Sequence, residues 1–387
     1  MADGTAIEWT HRAGTKGETL NPIRARHKET GRVGWHCTHA SDGCRFCYAE
    51  KLNQGFFKFG TQLAYKPGNE KLVDIFLDEE ALTQPLRWKS PRTIFWCSMT
   101  DMFGDFVPDE MIDRCFAVMA LTPQHTHIVL TKRAKRMREY LSEDWMPANV
   151  RSVLNGDSGG VGRQLVDDEV VAACAAISSG PLPNVWLGVS AEDQPRADER
   201  VIELLATPAA IRFVSAEPLL GPIDYRRYMW PVHAQWPAPY NTSEEGIAAG
   251  ANVTHHRQAL VSASARFIDW VIVGGESGPE ARPMHPAWAR SIRDQCQAAG
   301  VAFFFKQWGE WWPQECHPVG SFPRVLEAAG LKASPKLPRG CWGADGNWHP
   351  GGVAGAPPAY TSWKVGKKAA GRLLDGVEHS EFPRAAP

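Results

Sequence analysis

Six short apolar runs constrain what this chain can fold into more than any other feature. They are Thr93–Ser98, His127–Lys132, Val185–Ser190, Ile211–Glu217, Trp270–Glu276 and Ala302–Gln307, each rich in β-branched or aromatic residues and closing on small or polar ones. Unbroken apolar runs of this length suit strands covered on both faces, as in a parallel sheet. Helical periodicity is expected between them, over Pro108–Leu121, Lys132–Leu141, Gln194–Leu205 and Pro286–Ala299, with further helices at Ala49–Phe59 and Asp78–Arg87. Strands and helices alternating in this number predict an α/β barrel or part of one.

In barrels of parallel strands the chemistry sits at the C-terminal strand ends. The residues to watch are therefore Ser98, Thr100 and Asp101; Lys132 and Arg133; Ser190 and Glu192; Ser215 and Glu217; Glu276 and Ser277; and Lys306 and Gln307. Each alone reads as a helix cap or loop residue. Their recurrence at strand after strand says more.

The barrel unit is expected over residues 1–312, with insertions at 142–184 and 225–267, and a Gly/Pro/Trp-rich C-terminal extension at 313–387. The first insertion carries the glycine-rich run 155–162 and a helical stretch at Asp167–Ile177. The run lacks the Gly-Lys-Ser/Thr ending of a phosphate-cradling loop. The second insertion has no clear period and reads as a lid or flap. Trp308, Trp311 and Trp312 follow the last strand, where core packing competes with stacking of a base. Beyond about Gly366 the sequence turns polar and reads as a loosely held tail.

The charges nearly cancel, at −1 over 387 residues, so a nucleic-acid partner would have to be held by a local basic patch. Two such runs exist. Arg24, Arg26, His27, Lys28 and Arg32 precede the first cysteines and read as a solvated loop or a phosphate contact. Lys132, Arg133, Lys135 and Arg136 start at a strand end and read as a solvated helix face or as ligands for flanking phosphates. Nine cysteines, an odd number, with no secretory leader at Met1–Gly4, point to a reducing cytoplasm. No apolar run approaches the roughly 18 residues needed to span a bilayer, so no membrane association is expected.

The most specific stretch is Trp35–Glu50. Cys37, Cys44 and Cys47 lie there, with six residues between the first two and two between the last two. Three thiolates from one short loop can hold three irons of a cubic 4Fe-4S cluster and leave the fourth iron open. A structural zinc site completed by His36 or His39 is the competing reading, and three reduced thiols without metal are another.

Cys44-Arg45-Phe46-Cys47-Tyr48 resembles the second half of the radical S-adenosylmethionine (SAM) signature, in which the residue before the last cysteine is aromatic and lies near the adenine. The first gap departs from that pattern, being six residues rather than three. With Ile7-Glu8-Trp9-Thr10 and Asn21-Pro22 upstream, the run more closely resembles a phage-encoded three-cysteine-motif family, a divergent radical SAM branch, in patches from about residue 5 to about residue 312.

The resemblance implies a partial (β/α)6 TIM-like barrel. It implies a cluster on Cys37, Cys44 and Cys47, SAM chelated at the open iron and an external electron donor. Phe46, Ser98, Asp101, Ser190 and Glu217 are the expected SAM contacts. The superfamily's Gly-Glu pair after the second strand has no counterpart here, the nearest sequence being Gly274-Gly275-Glu276 near the sixth run. The implied reaction is an isomerisation in phage DNA, in the host cytoplasm. It moves a glycine joined through its nitrogen to the thymine methyl carbon so that it is joined through its α-carbon, a step of thymidine hypermodification that protects against restriction. Another nucleic-acid or peptide substrate, and a zinc-stabilised nucleic-acid-binding protein without catalysis, are the alternatives.

Overall fold

The computed structural model describes residues 4–55, 60–142, 145–156, 167–229, 267–316, 320–331, 337–343, 346–351 and 360–383. The apolar runs form strands, and one more precedes them: β1 Lys16–Leu20, β2 Arg92–Trp96, β3 Thr126–Thr131, β4 Val185–Ser190, β5 Ile211–Ala216, β6 Trp270–Gly274 and β7 Ala302–Gln307. They make a single seven-stranded parallel sheet in chain order, β1 to β7, without a reversal. Right-handed crossovers that all step the same way put their helices on one face of such a sheet. The observed helices include Asp109–Ala120, Ala134–Ser142, Gln194–Ala206 and Pro286–Ala299, within a residue or two of expectation.

Side chains alternate across the strands accordingly. Trp96, Val129, Leu187, Val214, Val271, Phe303 and Phe305 face the helices in the main core. Phe95, Ile128, Trp186, Phe213, Trp270, Ile272 and Phe304 point the other way and gather around Trp9. The Trp9 ring lies 4.7 Å from Phe95 on β2, 6.5 Å from Phe213 on β5 and 6.3 Å from Trp270 on β6. In a flat sheet β2 and β6 would stand about 19 Å apart, four strand spacings. One indole touching both shows that the sheet is curled, with an aromatic plug filling the N-terminal half of its concave face. At Gly188 a Cβ would fall 2.4 Å from the Phe213 ring, so this close approach requires glycine.

The basic run before the cysteines is not a loop. Ile23–His27 pairs antiparallel with Val33–Gly34 and Val73–Leu77, and Arg24 and Arg26 lie over the rings of Trp35 and Phe76. The first insertion contributes the helices Trp145–Leu154 and Asp167–Ser179. Most of its glycine-rich run, the end of the helix expected over Ala49–Phe59 and most of the 225–267 insertion lie outside the described residues. Past β7, Trp311–Pro313, Arg339–Trp342, Trp348–Pro350 and Tyr360–Lys364 form a four-stranded antiparallel sheet. Its first strand straddles the expected boundary at 312/313, and Trp308 and Trp312 are fully buried packing residues.

The tail is not loose through Phe382. Phe305 N–H donates to His379 O at 3.0 Å, Glu381 N–H to Phe303 O at 3.3 Å, and Phe382 packs 5.2 Å from Trp270. These contacts cover the free edge of β7, the kind of edge that otherwise recruits other chains. Its polar composition hid this, because the pairing uses backbone groups. Among the described residues no helix is long and apolar enough to cross a membrane.

Candidate functional site

The cysteine loop lies across the C-terminal ends of the curled sheet, held by side chains from four strand ends. At the end of β2, Ser98 O accepts from the Tyr48 hydroxyl at 2.7 Å, and Thr100 Oγ1 donates to His36 O. After β3, Arg133 donates to both the carbonyl and, at 2.6 Å, the hydroxyl of Thr38. After β4, Glu192 accepts from Gly43 N–H at 3.4 Å. After β6, Arg282 donates to Asp42 and to Glu276, reaching Glu276 Oε1 at 2.7 Å. Residues far apart in the chain thus converge on one loop, because every strand of a parallel sheet ends on the same side.

The anchors are themselves fixed. Asp101 is buried and accepts from Thr131 Oγ1 at 2.6 Å and, at 3.0 Å each, from the backbone N–H groups of Phe103 and Lys132 and from Arg133. Glu192 and Arg200 form an ion pair at 3.1 Å with each side chain 1% exposed. Burial pushes the Glu192 carboxyl up, but the Lys132 and Arg200 charges outweigh it and hold the group below the usual carboxylate range. On the loop's other flank, Glu50 binds His39 Nε2 at 2.8 Å and Tyr65 N–H at 2.9 Å, and His36 packs edge-on against Phe106.

All nine cysteines are free thiols. Burial pushes the Cys37 thiol up to about 12; the Arg133 charge opposes this, while Asp101, Cys44 and Cys47 add to it. Burial likewise raises Cys47, again with Cys44 contributing. The three sulfurs therefore share one field. Ala40 N–H points at Cys44 Sγ from 3.5 Å, a backbone donor of the kind that hydrogen-bonds cluster sulfurs and tunes their potential. Among the described residues no three His, Cys, Asp or Glu side chains gather tightly enough to hold a single metal ion. A cube takes each thiolate at a separate iron and tolerates wider spacing.

Phe46 stands half-buried among cations, with Arg45, Lys51 and Arg282 each 5.3–5.5 Å from its ring centroid. Of the other residues expected beside SAM, Ser98 is exchanged with Asn21 at 3.1–3.2 Å and Asp101 is occupied by the donors above. Ser190 is buried at the end of β4. Glu217 accepts from Lys306 Nζ at 2.7 and 3.0 Å and from Gln307 Nε2 at 3.3 Å. Of the residues expected to bind phosphate, Lys132 lies close enough to lower Cys47 and Glu192 electrostatically. Arg133 faces the loop. Arg136 donates to Gly104 O, to Val107 O at 2.6 Å and to Asp109 at 2.8 Å. Lys135 is exposed beside Glu139 at 3.7 Å. Arg282 and Thr38 carry the loop's anchoring without any local sequence signal, because their loop and rim partners are distant in the chain; Glu192 stands among the strand-end residues, and only its partner Arg200 does not.

A curled, singly wound parallel α/β sheet with a three-cysteine loop tied across its C-terminal rim is thus the class that fold and site define. The chain belongs to the family described as protein of unknown function (DUF5131), whose pattern matches residues 5–383. No curated protein and no solved structure matches it.

Proposed function

We propose that this protein is a radical SAM enzyme of the partial (β/α)6 barrel type, acting on phage DNA as the isomerase of N-linked to C-linked glycinylthymidine. The observation that carries the reading is the placement of Cys37, Cys44 and Cys47 across the ends of β2, β3, β4 and β6, where parallel barrels keep their chemistry. The donor set fits a 4Fe-4S cluster: three thiols on one loop, none in a disulfide, and a backbone N–H directed at one sulfur. Nine free thiols also suit a reducing host cytoplasm.

Cys37, Cys44 and Cys47 would hold the cluster, Phe46 would lie against the adenine, and an external one-electron donor would reduce it. When bound, cluster and SAM supply a 5′-deoxyadenosyl radical, able to take a hydrogen atom from an unreactive carbon. The chain's own task is placement. Arg133, Glu192 and Arg282 hold the loop over the concave face, and the aromatic plug around Trp9 closes that face from below. A base within DNA would have to leave the stack to enter, with Lys132 and Lys135 as candidate cations for flanking phosphates.

The test is to supply the reconstituted protein, SAM and dithionite with DNA carrying the N-linked glycine deuterated at its α-carbon. The C-linked isomer carrying a single deuterium at its α-carbon, with deuterium appearing in 5′-deoxyadenosine, is the expected result, because the isomerisation exchanges one α-carbon hydrogen for an N–H that equilibrates with water. 5′-Deoxyadenosine formed without isomer would move the reading to another substrate of the same enzyme class.

A further inference from the structure

Across the concave face, Glu217 after β5 and Lys306 on β7 join hands over the intervening strand β6. β6 presents Gly274 between them, where a Cβ would come within 3.1 Å of the Glu217 carboxyl carbon and crowd it. Lys306 sits at a register shift between Phe305 and Gln307, and its ammonium reaches the Glu217 carboxylate at 2.7 and 3.0 Å. The Cβ direction of Gly274, which continues the inward alternation of Trp270 and Ile272, meets Glu217, so the carboxylate stands over the concave face. Both side chains keep some exposure, 13% for Lys306 and 19% for Glu217. In the free protein each charge is the other's partner, which offsets their desolvation. They also match a ligand that carries an ammonium and a carboxylate on neighbouring atoms.

We propose that Lys306 and Glu217 form the recognition site for an α-amino-acid group, with Lys306 taking the carboxylate and Glu217 the amine of the substrate's glycine. This rests on the isomerase reading, and it names the part of the substrate that the concave face selects. Gln307 Nε2, 3.3 Å from Glu217 and 3.1 Å from Ser277 Oγ, holds the carboxylate in place as the amine binds. The same zwitterionic chemistry occurs in the methionyl end of SAM, so the experiment must separate the two sources.

The probes are thymidine carrying the N-linked glycine on its methyl carbon and the same nucleoside as the glycinamide, whose carboxylate is neutralised. Binding of each to the full-length, cluster-loaded protein is measured by equilibrium dialysis without reductant, with SAM affinity measured in parallel. The wild type is expected to prefer the glycine form roughly tenfold or more, the scale of a charge-assisted pair in a partly desolvated site. Lys306→Met should erase that preference to within about twofold while leaving SAM affinity within about twofold. Glu217→Gln, which keeps the side-chain shape, should weaken both nucleosides alike.

A preference that survives in Lys306→Met would overturn the proposal and leave the pair structural. Lost SAM affinity with the preference intact would reassign the pair to the methionyl group and overturn it equally. Because binding is read without turnover, a wild type that prefers the glycine form but yields no 5′-deoxyadenosine under dithionite would sink the radical reading while leaving this site standing.

Discussion

Arg133 and Thr38 are joined across the mouth of the sheet, the guanidinium lying 2.6 Å from the threonine hydroxyl and donating also to its carbonyl. Thr38 follows Cys37 directly, so the end of β3 sets where the first cysteine sits. Asp101 holds the other arm of the fork at 3.0 Å. Outer residues that orient metal ligands typically change affinity roughly ten- to a hundredfold when removed. Arg133→Met should therefore lose iron by about that factor in a chelator competition. Arg133→Lys should recover only part of it, since an ammonium cannot fork between Asp101 and Thr38. Equal iron retention in all three proteins would show that the tether does not support the ligands.

The Glu192–Arg200 pair predicts a large and specific loss of stability. Both side chains are 1% exposed, and removing one partner of such a pair strands a buried charge, at about 3–5 kcal/mol. Urea unfolding of Arg200→Met should show a loss of that order. The double variant Glu192→Leu with Arg200→Met should be more stable than Arg200→Met alone, because no charge is then left unpaired.

His127 predicts an acid sensitivity unrelated to the site. It is wholly buried, accepting from the Trp96 indole at Nδ1, 2.9 Å away, with Nε2 3.0 Å from Thr122 Oγ1. Burial above all, and the nearby His125, push its pKa down from 6.5 to about 3, against a smaller opposing effect of the Thr122 backbone. Below 6.5 the unfolded chain takes up a proton that the folded chain refuses. The contribution is therefore complete above pH 6.5 and is lost as pH falls toward 3, at about 1.4 kcal/mol per pH unit. The stability gap between wild type and His127→Gln should narrow by about 2–3 kcal/mol between pH 6.5 and pH 4. Parallel pH profiles would contradict it.

Phe382 predicts that the polar C-terminus is part of the fold. Its ring lies 5.2 Å from Trp270 and 5.7 Å from Phe304, and Trp270 Nε1–H donates to Glu381 O at 2.9 Å. Phe382→Ala should lower stability by about 2 kcal/mol, the scale of burying an aromatic side chain, and truncation before His379 should add association through the bared edge of β7. An unchanged melting curve in the truncated protein would show that the tail only rests there.

The sheet was legible because its strands are unbroken apolar runs: Val185–Ser190 and Ala302–Gln307 coincide with β4 and β7. β1 escaped firm assignment because Lys16–Leu20 lies at the sheet's edge and buries only Gly17 and Leu20. The pairing of Ile23–His27 with Val73–Leu77 was hidden by nearly fifty intervening residues. The cysteines were visible as a motif, whereas their anchors were not. Arg133 and Arg136 stand in a run that reads as a phosphate patch, and only the folded chain reveals Thr38, Asp101 and Asp109 facing them. Glu217 was visible as a strand-end carboxylate; its meeting with Lys306 across β6, eased by the bare Gly274 between them, was not.

The most direct measurement is iron and sulfide content after anaerobic reconstitution, paired with 5′-deoxyadenosine release from SAM under dithionite, in the wild type and in Cys44→Ala. The account predicts about four irons and four sulfides per wild-type chain, with 5′-deoxyadenosine formed by the wild type and absent from the variant. About one zinc per chain, no sulfide and intact SAM would contradict it and leave the cysteine loop a structural clip.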